Sequence, residues 1–413
     1  MLKNYFKIAI AVLKRRKFFT FISLFGISFT LTVLMVLTAF IDKVGNSNYP
    51  DKKRDRSLYI LNMEMSGAKT GHMSKGPHSF YFLDHYARSL KSYDKLAISS
   101  MFDFASAYVN NKKVPINIKY TNADYWDVLD YDFLEGKPFV KKQIDNAEKV
   151  AVISEDTKKA YFGDAPSVVG KYIEADNIKY RVSGVVKNVP ITQLTMYGDM
   201  YLPYTLSKSD YKTNKGYNGN FSGILLAKST VDVPKMQKEY ADMVSRIKIT
   251  SKDYDHIYSF ADTYFTSIIR VVLGDGNNSG IGKIITGLGI FVFLFMLLPT
   301  INLVNINITR IMERSSEIGV RKAFGASSQT LVYQFIVENI ILTLLGGFIG
   351  IILSVIVMQI INSSALIANL NLSLNYTVLA CSLLACLVFG LLSGVYPAWR
   401  MSRLNVVNAL KAQ

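Results

Sequence analysis

The sequence has few of the residues on which covalent cross-linking and metal binding depend. Its two cysteines, Cys381 and Cys386, lie in one apolar run near the C-terminus. This placement predicts neither a disulfide framework nor a zinc site, so we expect both to be packing residues. Three of the four histidines, His72, His78 and His85, lie in one short stretch. Their spacing matches no usual set of metal ligands, and we expect no metal site.

Nucleotide-binding and hydrolase motifs are also missing. The segment most similar to a phosphate-binding loop, Gly163–Tyr172 (GDAPSVVGKY), has too many residues between its glycines. It also has tyrosine where serine or threonine would bind Mg²⁺. There is no G-x-S-x-G nucleophile elbow. We therefore predict a non-catalytic chain, with no catalytic residues and no cofactor of its own.

The chain is rich in apolar residues and in positive charge. Of its 413 residues 50% are hydrophobic, and the formal net charge is +16. This composition favours a membrane protein over a soluble enzyme of the same size. The basic residues recur beside apolar runs and no nucleic-acid-binding motif is present, so we interpret the flanking cations as topology signals. The excess of positive charge in the polar part of the chain has no interpretation from sequence.

Four apolar runs predict an α-helical membrane protein with four transmembrane helices. Cations follow the second and fourth runs, whereas 362–375 between the third and fourth carries no charge, which predicts cytoplasmic termini. The first run is long for a signal peptide and no A-x-A-like site follows it, so we predict an uncleaved helix. The predicted divisions are 1–17, a cytoplasmic amphipathic segment; 18–41, helix one; 42–280, a large extracytoplasmic domain; 281–309, helix two; 310–327, a charged cytoplasmic segment; 328–361, helix three; 362–375, a short extracytoplasmic loop; 376–396, helix four; and 397–413, a cytoplasmic tail.

The large polar region has the mixed pattern of an α+β domain. Within it we predict strands at Val150–Ile153 and Gly223–Ala227, a helix at Glu155–Phe162 ended by Gly163, and a hairpin of Lys171–Ile173 with Tyr180–Val186 that turns at Asp176 and Asn177. We also predict an amphipathic helix at Val233–Ile247, with Met236, Tyr240, Met243 and Ile247 on one face, and a mobile loop or subdomain border at Ser207–Asn220.

The charged segment between the second and third apolar runs is Glu313–Ala326, ERSSEIGVRKAFGA. Serines and Glu317 near its start and basic residues near its end suit a short capped helix, which Gly325 would end. A solvent-exposed loop is one interpretation. The other is a docking surface for a partner, because apolar side chains such as Ile318 and Phe324 are mixed with the charges.

Ionisable residues are scarce inside the predicted spans. Only Glu338 lies well within an apolar run, which argues against a polar conduit through the bilayer. We favour a pair between Glu338 and a cation of the neighbouring segment over a proton relay. Small residues at Gly346, Gly347, Gly350, Gly287 and Gly289 would allow close helix packing, including packing between subunits.

Two parts of the membrane region resemble a known family. The run Glu313–Gly350 resembles the signature of FtsX/MacB-like ABC transporter permeases, with an E-I-G-x-R-x-A-x-G-A core followed by a glutamate in the next helix. The segment Gly394–Leu410 is similar to the closing segment of that family, although Met401 and Val406 replace its small residue and its proline.

Two parts of the polar region resemble the same family. Val150–Pro190 and Tyr120–Phe139 are similar to the MacB-type periplasmic core domain. The resemblance therefore covers most of the chain.

The resemblance implies a permease subunit in the bacterial cytoplasmic (inner) membrane. Such permeases form homodimers, or heterodimers with a related permease, and bind a separate cytoplasmic ABC ATPase that carries ATP and Mg²⁺; some also bind a membrane-fusion adaptor. The residues implied to contact the ATPase are Glu313, Arg314, Glu317, Ile318, Gly319, Arg321, Lys322, Ala323, Phe324, Gly325 and Ala326. A separate group of candidate site residues lies in the cytoplasmic tail and consists of Pro397, Arg400 and Arg403.

The implied mechanism is mechanotransmission, in which closure of the ATPases moves the spans and the spans move the outer domain. The implied role is efflux or extracytoplasmic handling of a peptide, drug or lipoprotein. The alternative is a sensor or regulator of cell-wall hydrolases or of peptide-resistance signalling on the same scaffold. A membrane-tethered enzyme is a third possibility, and the lack of a catalytic cluster argues against it.

Overall fold

The computed structural model describes residues 10–11, 15, 17–101, 103–109, 112–208, 211–249, 251–312, 328–364 and 370–402. The chain forms two compact units. A membrane unit contains 1–43, 285–366 and 371–413, and an outer unit contains 44–284 and 367–370. The outer unit thus corresponds to the polar part of the sequence.

Long apolar helices make up the described part of the membrane unit. They are α1 (Lys17–Gly45), α7 (Ile281–Met312), α8 (Ser328–Ser363) and α9 (Tyr376–Ser402). Among the described residues, Lys17–Gly45 and Ile336–Ser363 are long and apolar enough to cross a membrane. The described apolar parts of α7 and α9, Ile281–Leu297 and Tyr376–Leu392, are shorter.

The outer unit is built around a mixed sheet. Its strands are β1 (Ser57–Ile60), β4 (Tyr93–Ser100), β5 (Asp103–Val109), β6 (Lys112–Thr121), β7 (Phe133–Gly136), β8 (Val150–Ser154), β9 (Tyr172–Ala175), β10 (Ile178–Val186), β11 (Met200–Pro203) and β12 (Phe221–Ala227). The main order is β1-β12-β4-β6-β11-β8-β10-β7, with β5 paired to β6 and β9 to β10. The pairs β8–β10 and β6–β11 are parallel, and the other pairs are antiparallel.

Smaller elements complete this unit. A second sheet has the order β13-β2-β3 and consists of β2 (Met63–Ser66), β3 (Met73–Gly76) and β13 (His256–Ser259). The helices are α2 (Asp124–Val128), α3 (Lys141–Asp145), α4 (Glu155–Phe162), α5 (Val233–Ser245) and α6 (Tyr264–Leu273). A π-helical turn lies at Phe82–Tyr86.

The large sheet is buried on both faces at β8, whose five residues are all buried. Successive side chains of a strand point to opposite faces, and along β8 they join two different apolar clusters. Ala151 and Ile153 belong to one cluster, and Val150 and Val152 belong to the other. A strand covered on both sides needs a continuous apolar run, which explains the sequence VAVI.

Several predicted elements are confirmed, with small differences at their ends. The helix α4 has the predicted bounds: Ser154 caps it through the backbone N–H of Thr157, and Gly163 follows at φ 64°. The hairpin turns at Asp176 and Asn177, which both have positive φ. The first strand of that hairpin begins at Tyr172 rather than Lys171.

The amphipathic helix differs more from its prediction. The helix α5 ends at Ser245, two residues before the predicted end, and it buries Met236, Tyr240 and Val244. Met243 and Ile247 pack at the edge of the same cluster. The described residues of 207–220 contain no helix and no strand.

Candidate functional site

The predicted ATPase-contacting segment joins two long helices. The helix α7 ends at Met312, and α8 begins at Ser328. All eleven implied contact residues between 313 and 326 lie outside the described residues. Their role therefore stays a prediction from the sequence, and the structure contributes the two helices that flank them.

Of the other candidate residues, Glu338 falls on α8, and Pro397 and Arg400 fall on α9. Glu338 lies in α8 and is 1% exposed, and Asn339 is also buried. The predicted pair between Glu338 and the charged segment stays a prediction. Pro397 and Arg400 lie in α9, but their side chains are outside the described residues, as is all of Arg403.

Glycines bring the backbone of α8 close to α1. A Cβ atom added to Gly350 would lie 2.9 Å from Leu31 Cδ2, and one added to Gly346 would lie 2.8 Å from Ile27 Cβ. The Thr32 hydroxyl donates a hydrogen bond to the Gly350 carbonyl oxygen across this contact, at 3.2 Å. Small residues allow such approach in membranes, so close packing at these two positions is confirmed.

The glycines of α7 have different surroundings. Cβ atoms added to Gly287 or Gly289 would have no heavy atom within 4 Å among the described residues. These positions therefore make no close helix contact within the described part of this chain. The predicted packing between subunits stays a prediction.

Part of the unexplained positive charge is used in the segment 51–56, DKKRDR, which follows α1. Lys52 and Lys53 pair with Asp132 and Asp130, at 3.3 and 2.8 Å. Arg56 donates to the Lys228 carbonyl oxygen at 2.9 Å. Sequence analysis missed this role. The signal that could have shown it is the cluster of four basic and two acidic residues at 51–56, a short distance after the apolar run that ends at Ile41.

Within the same segment, Arg54 and Asp51 are buried. Asp51 is fully buried and Arg54 is 8% exposed, and Arg54 Nε donates to Asp51 Oδ2 at 2.7 Å. Sequence analysis missed this pair as well, since nothing in the local pattern distinguishes Arg54 from its basic neighbours.

The histidines do not form a common site. His78 is fully buried, with Nε2 at 2.8 Å from Ser259 Oγ, and burial lowers the pKa of His78 to about 3. His85 is exposed and stacks on Tyr81. No group of three or more His, Cys, Asp or Glu residues suited to a metal ion occurs in the described part of the chain.

Two protein-family models match the chain. The MacB-like periplasmic core domain matches 20–242, more than half of the sequence, and the FtsX-like permease C-terminal domain matches 289–406. The chain belongs to the MacB/FtsX-like permease family. This permease has helical membrane segments that flank a large, mixed α/β extracytoplasmic domain. Neither matched model is an ATPase domain, and none is found on this chain.

Curated relatives agree with the family assignment. The permease is 24% identical over 337 residues to the uncharacterized ABC transporter permease YknZ of Bacillus subtilis. The matched region covers 80% of this chain and 79% of YknZ. It is 25% identical over 312 residues to the macrolide export ATP-binding/permease protein MacB of Salmonella choleraesuis, and this matched region covers 73% of this chain. Only 44% of that MacB is covered, so this chain spans less than half its length.

A solved domain of a putative permease protein from Porphyromonas gingivalis is also similar. It matches with a TM-score of 0.42 and 13% identity, over 52% of this chain and 92% of the solved one.

Proposed function

We propose that this chain is the permease subunit of an ABC transporter, and that it couples ATP hydrolysis by a separate cytoplasmic ATPase to conformational change of its outer unit. The observation that carries the proposal is the match of a periplasmic core domain and a permease domain on one chain. The names of the relatives, which include macrolide and pyoverdine export proteins, favour export.

The proposed topology has four spans, cytoplasmic termini and the charged segment on the cytoplasmic side. The scarcity of ionisable residues supports transmission of movement rather than a polar pathway through the bilayer. From Ser328 to Ser363 the only charged residue is Glu338, and Phe18–Ile41 has none. Helices of this kind can move as rods without lining an aqueous path.

The proposed ATPase contact is tested by two substitutions in the charged segment. We expect Glu317→Lys and Gly319→Trp to reduce co-purification of the partner ATPase at least tenfold, because one reverses a charge and the other adds bulk on a docking surface. Membrane insertion should be unchanged. The measurement is the amount of ATPase recovered with tagged permease from detergent-solubilised membranes.

The matched control is Asp242→Lys, a charge reversal at an exposed position of α5 in the outer unit. It should leave ATPase recovery at the wild-type level. Full recovery with both segment variants, or labelling of an engineered cysteine at 317 from outside the cell, would contradict the proposed contact.

Export and signalling are separated by a second experiment on the same complex. In reconstituted vesicles an exporter accumulates its substrate on the extracytoplasmic side in an ATP-dependent manner. A sensor instead changes the ATPase turnover in response to an outer ligand, with no net movement of that ligand.

A further inference from the structure

The end of the first helix is held by one buried side chain of the outer unit. Arg54 Nη1 donates to the carbonyl oxygens of Val44, Gly45 and Asn46, at 3.0, 3.2 and 2.6 Å. Val44 and Gly45 are the last two residues of α1, and all of these residues belong to the outer unit. The last carbonyl groups of a helix lack hydrogen-bond partners within the helix, and the C-terminal end of a helix favours a positive charge. Arg54 supplies both the donors and the charge.

The same guanidinium group contacts three other parts of the outer unit. Its Nε donates to Asp51 Oδ2 at 2.7 Å, and its Nη2 donates to Gln193 Oε1 at 2.7 Å. Its Cζ lies 3.7 Å from the ring centroid of Tyr264, the first residue of α6. Asp51 Oδ2 also accepts a hydrogen bond from the Tyr59 hydroxyl at 2.6 Å, which links the cluster to β1.

The loop that carries Gln193 is held firmly on its other side. The carbonyl oxygen of Met196 accepts hydrogen bonds from the hydroxyl groups of Tyr131 and Tyr201, at 2.9 and 3.1 Å. Both tyrosines are in the second apolar cluster of the sheet. A displacement of Gln193 therefore cannot be absorbed by a loose loop and would reach the sheet itself.

The cost of burying this cluster indicates that it has one favoured arrangement. Burial raises the pKa of Asp51, and the charge of Arg54 opposes that shift. Removing one partner of a buried ion pair leaves an uncompensated charge, which is strongly unfavourable. The guanidinium group and its partners are therefore expected to move together rather than separately.

From these contacts we propose that Arg54 is a positioning residue that transmits movement of α1 to the 190–196 loop and to α6, the helix that precedes α7. The inference rests on the proposed function, because it assumes that nucleotide binding by a partner ATPase moves α1. It adds the residue through which that movement enters the outer unit.

The test compares Arg54 with a second arginine of the outer unit, Arg270, whose side chain is 12% exposed, in the full complex of permease and ATPase. Arg270 of α6 pairs with Asp262 through Nε at 2.5 Å, and its Cζ lies 3.7 Å from the Phe260 ring centroid. Arg54→Met and Arg270→Met thus each remove an ion pair that is largely shielded from water and a cation–aromatic contact. Only Arg54→Met also releases the end of α1 and the contact with Gln193.

The readout is hydrogen exchange of 190–196 with and without a non-hydrolysable ATP analogue, in lipid nanodiscs. We expect Arg54→Met to reduce the nucleotide-dependent change in exchange rate by about fivefold or more, a typical size for coupling between sites. ATPase recovery with the permease should stay at the wild-type level. Arg270→Met should keep the full nucleotide-dependent change.

A milder variant keeps the test valid if Arg54→Met fails to fold. Gln193→Leu removes the Nη2 contact and leaves the Asp51–Arg54 pair, and it should also reduce the nucleotide-dependent change. An unaltered change in Gln193→Leu or Arg54→Met, or an equal loss in Arg270→Met, would overturn the inference alone. A wild-type complex that shows no nucleotide-dependent change anywhere in the outer unit would overturn the proposed function as well.

Discussion

In the outer unit large aromatic side chains fill the core, whereas in the membrane unit glycines bring helix backbones together. Tyr125, Tyr201 and Phe82 are completely buried in the outer unit. On α1 the side chains of Phe21 and Phe25 are 66% and 58% exposed, and the close contact with α8 is made at glycines. Water drives apolar side chains inward, but lipid does not, so helix association in the bilayer depends on close packing. Phenylalanine therefore fills the core in the outer unit, whereas on α1 it lies on the exposed surface of the helix.

The largest effect expected from this comparison is on a phenylalanine. Phe82 is fully buried beside the rings of His78, Tyr86 and Tyr217. Because Phe82→Ala leaves a cavity in a packed core, it should destabilise the outer unit by about 3–5 kcal/mol. The measurement is thermal unfolding of the full chain in nanodiscs. Unfolding of each unit is monitored by the temperature at which a protease begins to cleave peptides from that unit.

Phe25→Ala is the matched substitution in the membrane unit. Phe25 stacks on Phe29 with ring centroids 5.8 Å apart, and both rings are exposed. The expected loss is about 1 kcal/mol, the size of an aromatic pair. Equal losses from Phe25→Ala and Phe82→Ala would contradict the distinction between the two units.

Enlarging a glycine of the membrane unit should have a smaller effect than Phe82→Ala. Gly350→Leu would collide with Leu31 and with the Ser28 carbonyl oxygen, which a Cβ atom would approach to 3.0 Å. Overpacking of this kind lowers stability by about 1–3 kcal/mol. We therefore expect protease cleavage within α1 and α8 to begin at a lower temperature than in the wild type.

Gly289→Leu supplies the control for that substitution. No heavy atom of the described residues lies within 4 Å of its added Cβ. It should therefore leave the unfolding temperature of the purified protomer unchanged. If Gly289→Leu lowers that temperature as much as Gly350→Leu does, then general intolerance of bulk, rather than the α1–α8 contact, explains the effect.

The last effect depends on pH and concerns a buried lysine in the outer unit. Lys119 on β6 is 1% exposed, and its Nζ donates to the Ser100 carbonyl oxygen at 2.8 Å. Burial lowers the pKa of Lys119 from 10.5 to about 7, and Asp103 opposes the shift. Between these two values the unfolded chain binds more protons than the folded one. Stability should therefore rise with pH in this window, by at most about 1.4 kcal/mol per pH unit from this group.

Lys119→Met should remove that pH dependence, because methionine does not titrate. Unfolding of the full chain would be measured from pH 7 to pH 10, with Lys113→Met as the control at an exposed position on the same strand. The difference in stability between wild type and Lys119→Met should change across this range. A constant difference would show that Lys119 is not charged differently in the two states.

Local elements were the most accessible to prediction. The helix α4 was predicted with its observed bounds, because Gly163 supplies a stop signal directly after it. The structure adds the cap at its start, which Ser154 provides. The turn at Asp176 and Asn177 was also found from a local signal. The buried face of α5 was less accurate: Val244 is buried rather than Met243, because the cluster it packs against comes from distant strands.

The contacts of the Arg54 cluster could not be predicted from sequence. Arg54 contacts Gln193, 139 positions further along the chain, and no local pattern relates the two residues. For the charged segment the reverse holds. Its candidate role comes from the sequence and the family match, and its residues lie outside the part of the chain that the structure describes.

By itself the sequence determined the family, the positions of the apolar runs and the large polar region between the first two. These depend on side-chain hydropathy and on short-range capping, which act within a few residues. Only the tertiary structure decided the strand order, which glycines of α8 meet α1, and that one arginine among its basic neighbours holds the end of the first helix. Those features depend on contacts between residues far apart in the chain, where burial and geometry select a partner that composition does not specify.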